Sequence, residues 1–124
     1  MLEGIVLKPN MIISGLNCST QADIEKVADM TFIYLKENVP SEVPGIAFLS
    51  GGQNSDDATA HLSKMNEKYS EQMPWNLTFS YGRALQNDAL KLWAGSNRQA
   101  GQEALISRAN ANSQATFGKA LSIS

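Results

Sequence analysis

A lysine at the end of an apolar run is the first residue of this sequence that could do chemistry. Lys8 closes the run Gly4–Lys8 (GIVLK), and Pro9 follows it directly. Lysine is rarely buried, so an amine at this position either reaches solvent from a strand end or has a chemical role. A desolvated lysine amine attacks ketones and aldehydes, and the resulting Schiff base accepts electrons from a neighbouring bond. Spacing alone leaves both interpretations open, and solvation is the commoner one.

Two further segments carry residue types that bind phosphate. The first is Ser50-Gly51-Gly52, and the second contains Ser80, Gly82 and Arg83. Glycines at a turn from strand to helix leave peptide N–H groups free to point at an oxyanion, and arginine offers parallel donors to phosphate oxygens. The alternative is that the glycines only make a tight turn and that Arg83 is solvated. Repetition at two successive segments favours phosphate more than one glycine pair would.

The remaining candidates for chemistry are isolated. Cys18 is the only cysteine and His61 the only histidine, so an intrachain disulfide is excluded and a zinc site is not expected. His61 lies at a helical position, where we expect a packing or surface residue. Trp75 and Trp93 are expected to anchor the core.

Composition and charge exclude several classes of partner. The 124 residues are 43% hydrophobic and 18% charged, which is ordinary for one globular domain. Ten basic against twelve acidic residues leave no basic surplus for nucleic acid. No apolar stretch approaches the roughly 20 residues that cross a bilayer, and the N-terminus lacks the pattern of a secretion signal. The sequence therefore predicts a cytoplasmic protein that binds neither nucleic acid nor membrane.

Three apolar runs, each followed by a helical pattern, must position these residues. The spacing predicts strands over Gly4–Lys8, Gly45–Leu49 and Trp75–Ser80. It predicts helices from about Gln21 to Asn38, from Asn54 to near Lys68, from near Arg83 to near Gly95, and from about Asn97 to Phe117. We expect Thr20 to cap the first helix, and alternation places Trp75, Leu77 and Phe79 on one face of the third strand.

Consecutive strand–helix units make parallel sheets that helices cover. Three parallel strands have two exposed edges, and a closed (β/α)₈ barrel needs about 200 residues or more. Periodicity alone therefore leaves two equal alternatives, part of a larger barrel or a three-stranded doubly wound domain. In both folds ligands bind outside the carboxyl ends of the strands, where Lys8, Ser50 and Arg83 are expected to meet.

Three long segments resemble successive signature segments of the class I fructose-1,6-bisphosphate aldolases. They are Leu2–Met11, Gly45–Gln53 and Trp75–Gln86, and Asn110–Ser113 resembles part of the family's last long helix. The resemblance covers nearly the whole chain. It implies an α/β fold, a (β/α)₈ TIM barrel to which this chain supplies the last three βα units and the C-terminal helices. Residues 1–124 would then be the C-terminal part of a single barrel domain that an upstream segment completes.

The resemblance also implies an activity. The family is a group of lyases that cleave fructose 1,6-bisphosphate to dihydroxyacetone phosphate and glyceraldehyde 3-phosphate through a lysine Schiff base, in glycolysis and gluconeogenesis. By this match Lys8 is the imine-forming lysine, and no metal or other cofactor is implied. The implied substrate-binding residues are Ser50, Gly51, Gly52, Ser80, Gly82 and Arg83. The implied partners are a phosphorylated sugar, the upstream part of the same barrel and further subunits of a homo-oligomer.

One departure from the family pattern bears on activity. The family's proton-transfer residues lie on its first five strands, which by the match would all precede Met1. We therefore expect the isolated chain to be poorly stable and inactive. A second hypothesis is a non-catalytic phosphate-binding or scaffold fragment of such a barrel, and a third is a stand-alone structural α/β domain.

Overall fold

A computed structural model describes residues 1–119 of the chain and contains three strand–helix units. The strands are β1 (Val6–Leu7), β2 (Gly45–Phe48) and β3 (Asn76–Phe79). The helices are α1 (Ile24–Asn38), α2 (Ser55–Tyr69), α3 (Arg83–Trp93) and α4 (Arg98–Ala115), and short 3₁₀ turns cover Leu2–Gly4 and Ser70–Gln72. All the elements predicted from the sequence are present in this order.

The three strands form one parallel sheet in the order β1-β2-β3. The register pairs Val6 with Gly45 and Gly45 with Asn76. The predicted strand over Gly4–Lys8 is too long, because residues 2–4 form a 3₁₀ turn and Pro9 has no N–H to continue the ladder. The strand β1 is therefore only two residues long.

The hydrophobic core lies on one face of the sheet. Leu7, Ile46 and Leu77 share a level in the register, and Ile46 is completely buried. They pack with apolar residues of the helices, including Val27, Leu35, Leu62 and Met65. Side chains alternate along a strand, so Val6 and Lys8 point to the opposite face. That face is open at β1, where Val6 is 63% exposed.

The first helix begins later than predicted, and its cap is not Thr20. The N-cap is Asp23, whose carboxylate accepts a 2.8 Å hydrogen bond from the N–H of Lys26. The Gln21 side chain donates to the carbonyls of Gly15 and Cys18, which keeps the residues before Asp23 in a loop. A carboxylate at the N-cap also interacts favourably with the helix dipole, which the Thr20 hydroxyl cannot do.

The other helix boundaries agree closely with prediction, but the exposure of one of the two tryptophans does not. Asn54 caps α2 and Asn97 caps α4 through their side-chain oxygens. Trp75 is 4% exposed, and its indole N–H donates to the Pro40 carbonyl, as a core anchor should. Trp93 is 45% exposed, so the expectation of a second anchor is wrong. It lies at the last turn of α3, where the chain reverses into α4.

None of the helices in residues 1–119 combines the length and the hydropathy that a membrane span requires.

Candidate active site

The carboxyl ends of the three strands lie side by side. Beyond the regular ladder, the N–H of Leu49 donates to the Pro9 carbonyl at 3.0 Å, and the N–H of Ser80 donates to the Phe48 carbonyl at 2.8 Å. The first bond continues the β1–β2 register two residues beyond the Leu7–Ile46 pair, and the second belongs to the Phe48–Phe79 pair at the end of the β2–β3 ladder. The loops that follow Lys8, Leu49 and Phe79 therefore begin at one edge of the sheet.

Lys8 lies at this edge on the open face of the sheet. Continuing the register places it level with Ala47, and its side chain points away from Leu7 and the core. Lys8 is exposed, and within residues 1–119 its amine makes no ion pair. The amine of this chain is thus solvated, in contrast to the desolvated amine expected in a barrel mouth. The physical reason is that nothing in residues 1–119 covers this end of the face.

The loop after β2 is tight and packs against the segment that follows Lys8. Ser50 is buried, and its carbonyl accepts from the N–H of Gln53 at 3.1 Å to close a turn. Gly51 has φ +59° and Gly52 has φ +85°, which are left-handed conformations that favour glycine. A Cβ atom on Gly51 would overlap the side-chain amide of Asn10. The glycine loop is therefore in contact with the chain two residues beyond Lys8.

The loop after β3 is fastened to α2 by Tyr81. This tyrosine is 5% exposed, and its hydroxyl donates to the Ala58 carbonyl at 2.8 Å. Burial raises the pKa of Tyr81 well above its usual range, so the hydroxyl keeps its proton and remains a donor. Gly82 is the N-cap of α3, and no side chain caps this helix start. Ser80 and Arg83 are exposed on either side of this anchor.

His61 is a packing residue, which is one of the two roles expected for it. Its side chain is 6% exposed, and ring Nδ1 lies 2.6 Å from Oε1 of Gln53, which implies that Nδ1 carries the proton. Burial lowers the pKa of His61, and the negative charge of Asp57 opposes this shift. Nε2 of Gln53 lies 3.6 Å from the Met11 sulfur. The side chains of Met11 and Gln53 therefore link the loop after β1 to the loop after β2.

Sequence reasoning missed Arg108, the most extensively bonded cation of the described chain. This residue of α4 is 3% exposed and makes ion pairs with Asp56 at 2.7 Å and with Asp88 at 2.8 Å. It also donates to the Ser55 carbonyl at 3.1 Å and to the Thr59 hydroxyl at 3.0 Å. Its partners lie 20 to 53 positions away in sequence, so no local spacing could have identified them.

Comparisons with known proteins identify what this arrangement belongs to. The family model of class I fructose-bisphosphate aldolase matches residues 1–123. A probable class 1 aldolase of Xanthomonas axonopodis pv. citri is 48% identical over 96% of this chain and 36% of its own length. The chloroplastic aldolase of Oryza sativa subsp. japonica is 49% identical over 96% of this chain and 30% of its own length.

A solved structure shows the same architecture. The fructose-bisphosphate aldolase of Plasmodium falciparum, determined in a ternary complex with TRAP and a small-molecule inhibitor, superposes with a TM-score of 0.89 at 43% identity. The match covers 98% of this chain and 35% of that one. The prediction of part of a TIM barrel is confirmed, rather than a doubly wound domain. This chain spans about a third of the length of its relatives, and it belongs to the class I fructose-bisphosphate aldolase family.

Proposed function

We propose that this chain carries the Schiff-base lysine and the phosphate-binding loops of a fructose-1,6-bisphosphate aldolase. The proposal assigns catalysis to Lys8 and substrate binding to Ser50, Gly51, Gly52, Ser80, Gly82 and Arg83. The observation that carries it is the contact of Gly51 with Asn10, two residues beyond Lys8. A primary amine and an anion-binding loop at one sheet edge are the two groups that a phosphorylated ketone requires.

The backbone around the two loops supports anion binding. The left-handed turn at Gly51 and Gly52 leaves peptide N–H groups that make no hydrogen bond within residues 1–119. The start of α3 has no side-chain cap, so its first N–H groups and the positive end of its dipole are also available. Arg83, the first residue of α3, is exposed and adds a guanidinium that matches phosphate geometry.

The proposed reaction begins with attack of Lys8 Nζ on the substrate ketone and loss of water, which yields an iminium ion. The electrons of the bond between carbons three and four then move toward the iminium nitrogen, while the hydroxyl on carbon four loses its proton to a base. Glyceraldehyde 3-phosphate leaves and an enamine remains. Protonation of carbon three and hydrolysis release dihydroxyacetone phosphate and return the amine. The phosphate loops contribute orientation rather than bond chemistry.

The proposal includes the remainder of a barrel. Residues 1–124 would form part of one barrel domain, and an upstream segment would cover the open face beside Lys8 and supply the base. A cytoplasmic location and a homo-oligomeric assembly belong to the same proposal, and the second of them rests on the family resemblance alone.

A second candidate is a non-catalytic scaffold that binds phosphate. The exposure of Lys8 favours it, because the amine lies at an open surface and lacks the enclosed pocket in which a Schiff-base lysine meets its ketone. This candidate predicts phosphate binding without covalent attachment of a ketone.

Trapping with borohydride separates the two candidates. The chain is incubated with dihydroxyacetone phosphate and borohydride, alone and with the missing strands of the Xanthomonas axonopodis relative, and the modified lysine is mapped by mass spectrometry. We expect an adduct on Lys8 when the added strands are present. Lys8→Met should abolish the adduct and keep phosphate affinity, whereas Lys26→Met, at an exposed lysine of α1, should change neither. Phosphate binding without any adduct would establish the scaffold instead.

A further inference from the structure

Arg108, which has no part in the proposed reaction, lies between the two helices that follow the phosphate loops. Helix α2 begins at Ser55, three residues beyond Gly52, and α3 begins at Arg83 itself. Arg108 belongs to neither helix, but its guanidinium bonds to the first turn of α2 and to Asp88 in α3. A single side chain of α4 therefore joins the two halves of the proposed phosphate site.

The geometry uses nearly the whole guanidinium. Nε and Nη2 both reach Oδ2 of Asp88, at 2.9 and 2.8 Å, and Nη2 also reaches Oδ1 of Asp56 at 2.7 Å. Nη1 donates to the Ser55 carbonyl and to the Thr59 hydroxyl. These donors lie in one plane and fix both helices in direction as well as distance. A lysine ammonium has three donors at one point and cannot reach all these acceptors together.

Burial shows that Arg108 acts through other residues. Its side chain is 4% exposed, compared with 34% for Asp88 and 83% for Asp56. The Thr59 hydroxyl, which accepts from Arg108, also lies 2.5 Å from the side-chain amide oxygen of Asn112. Asn112 is completely buried and belongs to α4, as Arg108 does. The guanidinium is thus buried among the helices, so it can act on a ligand bound at the loops after β2 and β3 only through the residues that it contacts.

From these contacts we infer that Arg108 is a positioning residue for phosphate binding: it holds the glycine loop after β2 and the Arg83 loop after β3 at a fixed separation. The inference rests on the proposed function for the identity of the phosphate loops. Two loops that grip one phosphate bind it only when both are correctly spaced, and displacement of either loses part of the hydrogen bonding.

A purely electrostatic role for Arg108 makes the opposite prediction for one variant. Asp56 and Asp88 carry two negative charges near the proposed site, and Arg108 offsets one of them. If neutralisation were its whole role, Asp88→Asn would make the region more positive and would strengthen anion binding. Under the positioning role the same variant loses the charged acceptor of two guanidinium bonds, loosens α3 and weakens anion binding.

The first experiment measures binding of inorganic phosphate to the full chain by ³¹P NMR titration, so it does not depend on Lys8. We expect Arg108→Lys to weaken phosphate binding by about 3- to 30-fold, the range typical of coupling through packed side chains. Asp88→Asn should weaken it in the same direction. Arg98→Lys makes the same exchange at an exposed position of the same helix and should leave the affinity unchanged.

The second experiment compares two ketones in borohydride trapping on Lys8, with the missing strands of the Xanthomonas axonopodis relative added as above. Dihydroxyacetone phosphate carries the phosphate group and dihydroxyacetone does not. Arg108→Lys should lower the trapping rate for the phosphorylated ketone and leave the rate for dihydroxyacetone unchanged. A variant that was merely unfolded would lose both, and circular dichroism of each variant checks the helix content. If Arg108→Lys does not fold, Asp88→Asn carries the same test, because its side chain is partly exposed.

Three results would overturn the inference. The first is unchanged phosphate affinity in folded Arg108→Lys, and the second is tighter phosphate binding by Asp88→Asn. The third is an equal fall in the trapping rates of dihydroxyacetone phosphate and dihydroxyacetone in Arg108→Lys. Failure of the proposed function looks different. In that case phosphate binding still depends on Arg108, while neither ketone is trapped on Lys8 of the unaltered chain even when the missing strands are added.

Discussion

The glycine loop after β2 shows at the scale of single residues how one residue type controls local geometry. Gly51 and Gly52 both adopt positive φ, which costs a residue with a side chain about 1–2 kcal/mol. The sequence identified these glycines by type and by their place after a strand. The structure adds that Gly51 lies against Asn10, so its missing side chain also permits contact between two loops.

Replacement of Gly51 by alanine should therefore be unfavourable. We expect Gly51→Ala to lower the free energy of unfolding by about 1–2 kcal/mol and to weaken phosphate binding, because the left-handed backbone is strained and Asn10 must move. Gly15→Ala is the control, since its φ is not positive and a Cβ there meets nothing within 4 Å. Urea unfolding measures the free energy of unfolding of both variants, and equal losses of stability at the two glycines would contradict this explanation.

The burial of His61 predicts a pH dependence of stability. Its pKa is lowered in the folded chain, so below its ordinary value near 6.5 the unfolded chain binds more protons. The free energy of unfolding should consequently fall as the pH drops from about 7 toward the folded pKa, by no more than about 1.4 kcal/mol per pH unit. Urea midpoints between pH 7 and pH 5 test this. His61→Asn should flatten the profile in that window, and an unaltered slope would exclude His61 as the cause.

At the scale of elements, the chain uses polar side chains to join helices that are distant in sequence. Arg108 joins α4 to α3 and to the first turn of α2. At the other end of α2, the Asn66 amide donates to carbonyls of Leu77 in β3 and Ala115 in α4. Buried polar groups must be satisfied, so each of these residues specifies one arrangement of the elements around it.

The end of α4 gives a prediction that separates strain from crowding. Gly118 and Gly95 both have positive φ, but a Cβ on Gly118 would lie 2.7 Å from the backbone nitrogen of Glu67, whereas one on Gly95 would meet nothing within 4 Å. We expect Gly118→Ala to destabilise the chain by about 1–3 kcal/mol more than Gly95→Ala, because only the first adds overpacking. Thermal or urea unfolding of the two variants provides the measurement, and equal losses would show that α4 can move away from α2.

At the scale of the whole molecule, the sheet is covered by helices on one face and open on the other. The core side chains Ile46, Phe48 and Leu77 lie on the covered face, while Val6 and Lys8 lie on the open one. An open face on a parallel sheet is unusual, because both faces of such sheets are normally buried. The relatives are about three times as long as this chain, which is consistent with an open face at this position.

Val6 gives a test of what covers this face. It is 63% exposed, so Val6→Asp should change the free energy of unfolding of the chain alone by less than about 0.5 kcal/mol. The same variant should prevent association with the missing strands of the Xanthomonas axonopodis relative, because closure would bury the new charge. Size-exclusion chromatography of the mixture measures association. Glu37→Gln, at an exposed position of α1, is the control and should associate normally.

The sequence by itself determined the elements, their order and the family. Apolar periodicity, proline and glycine positions and cap residues act over a few neighbouring residues, which is why strands and helices could be located from them. The same local signals identified the glycine loops and the lysine as chemically distinctive residues. They failed at Thr20, because Asp23 competes for the same cap and the loop bonds of Gln21 favour it.

Only the tertiary structure decided which distant residues meet. The partners of Arg108, the burial of His61, the exposure of Trp93 and the solvation of Lys8 all depend on contacts between separate elements or on their absence within residues 1–119. The residues beside an arginine in the sequence do not reveal whether its side chain is buried, because burial depends on how the whole chain packs. The chemistry of single residues can therefore be anticipated from the sequence, whereas their environment follows from how the elements pack.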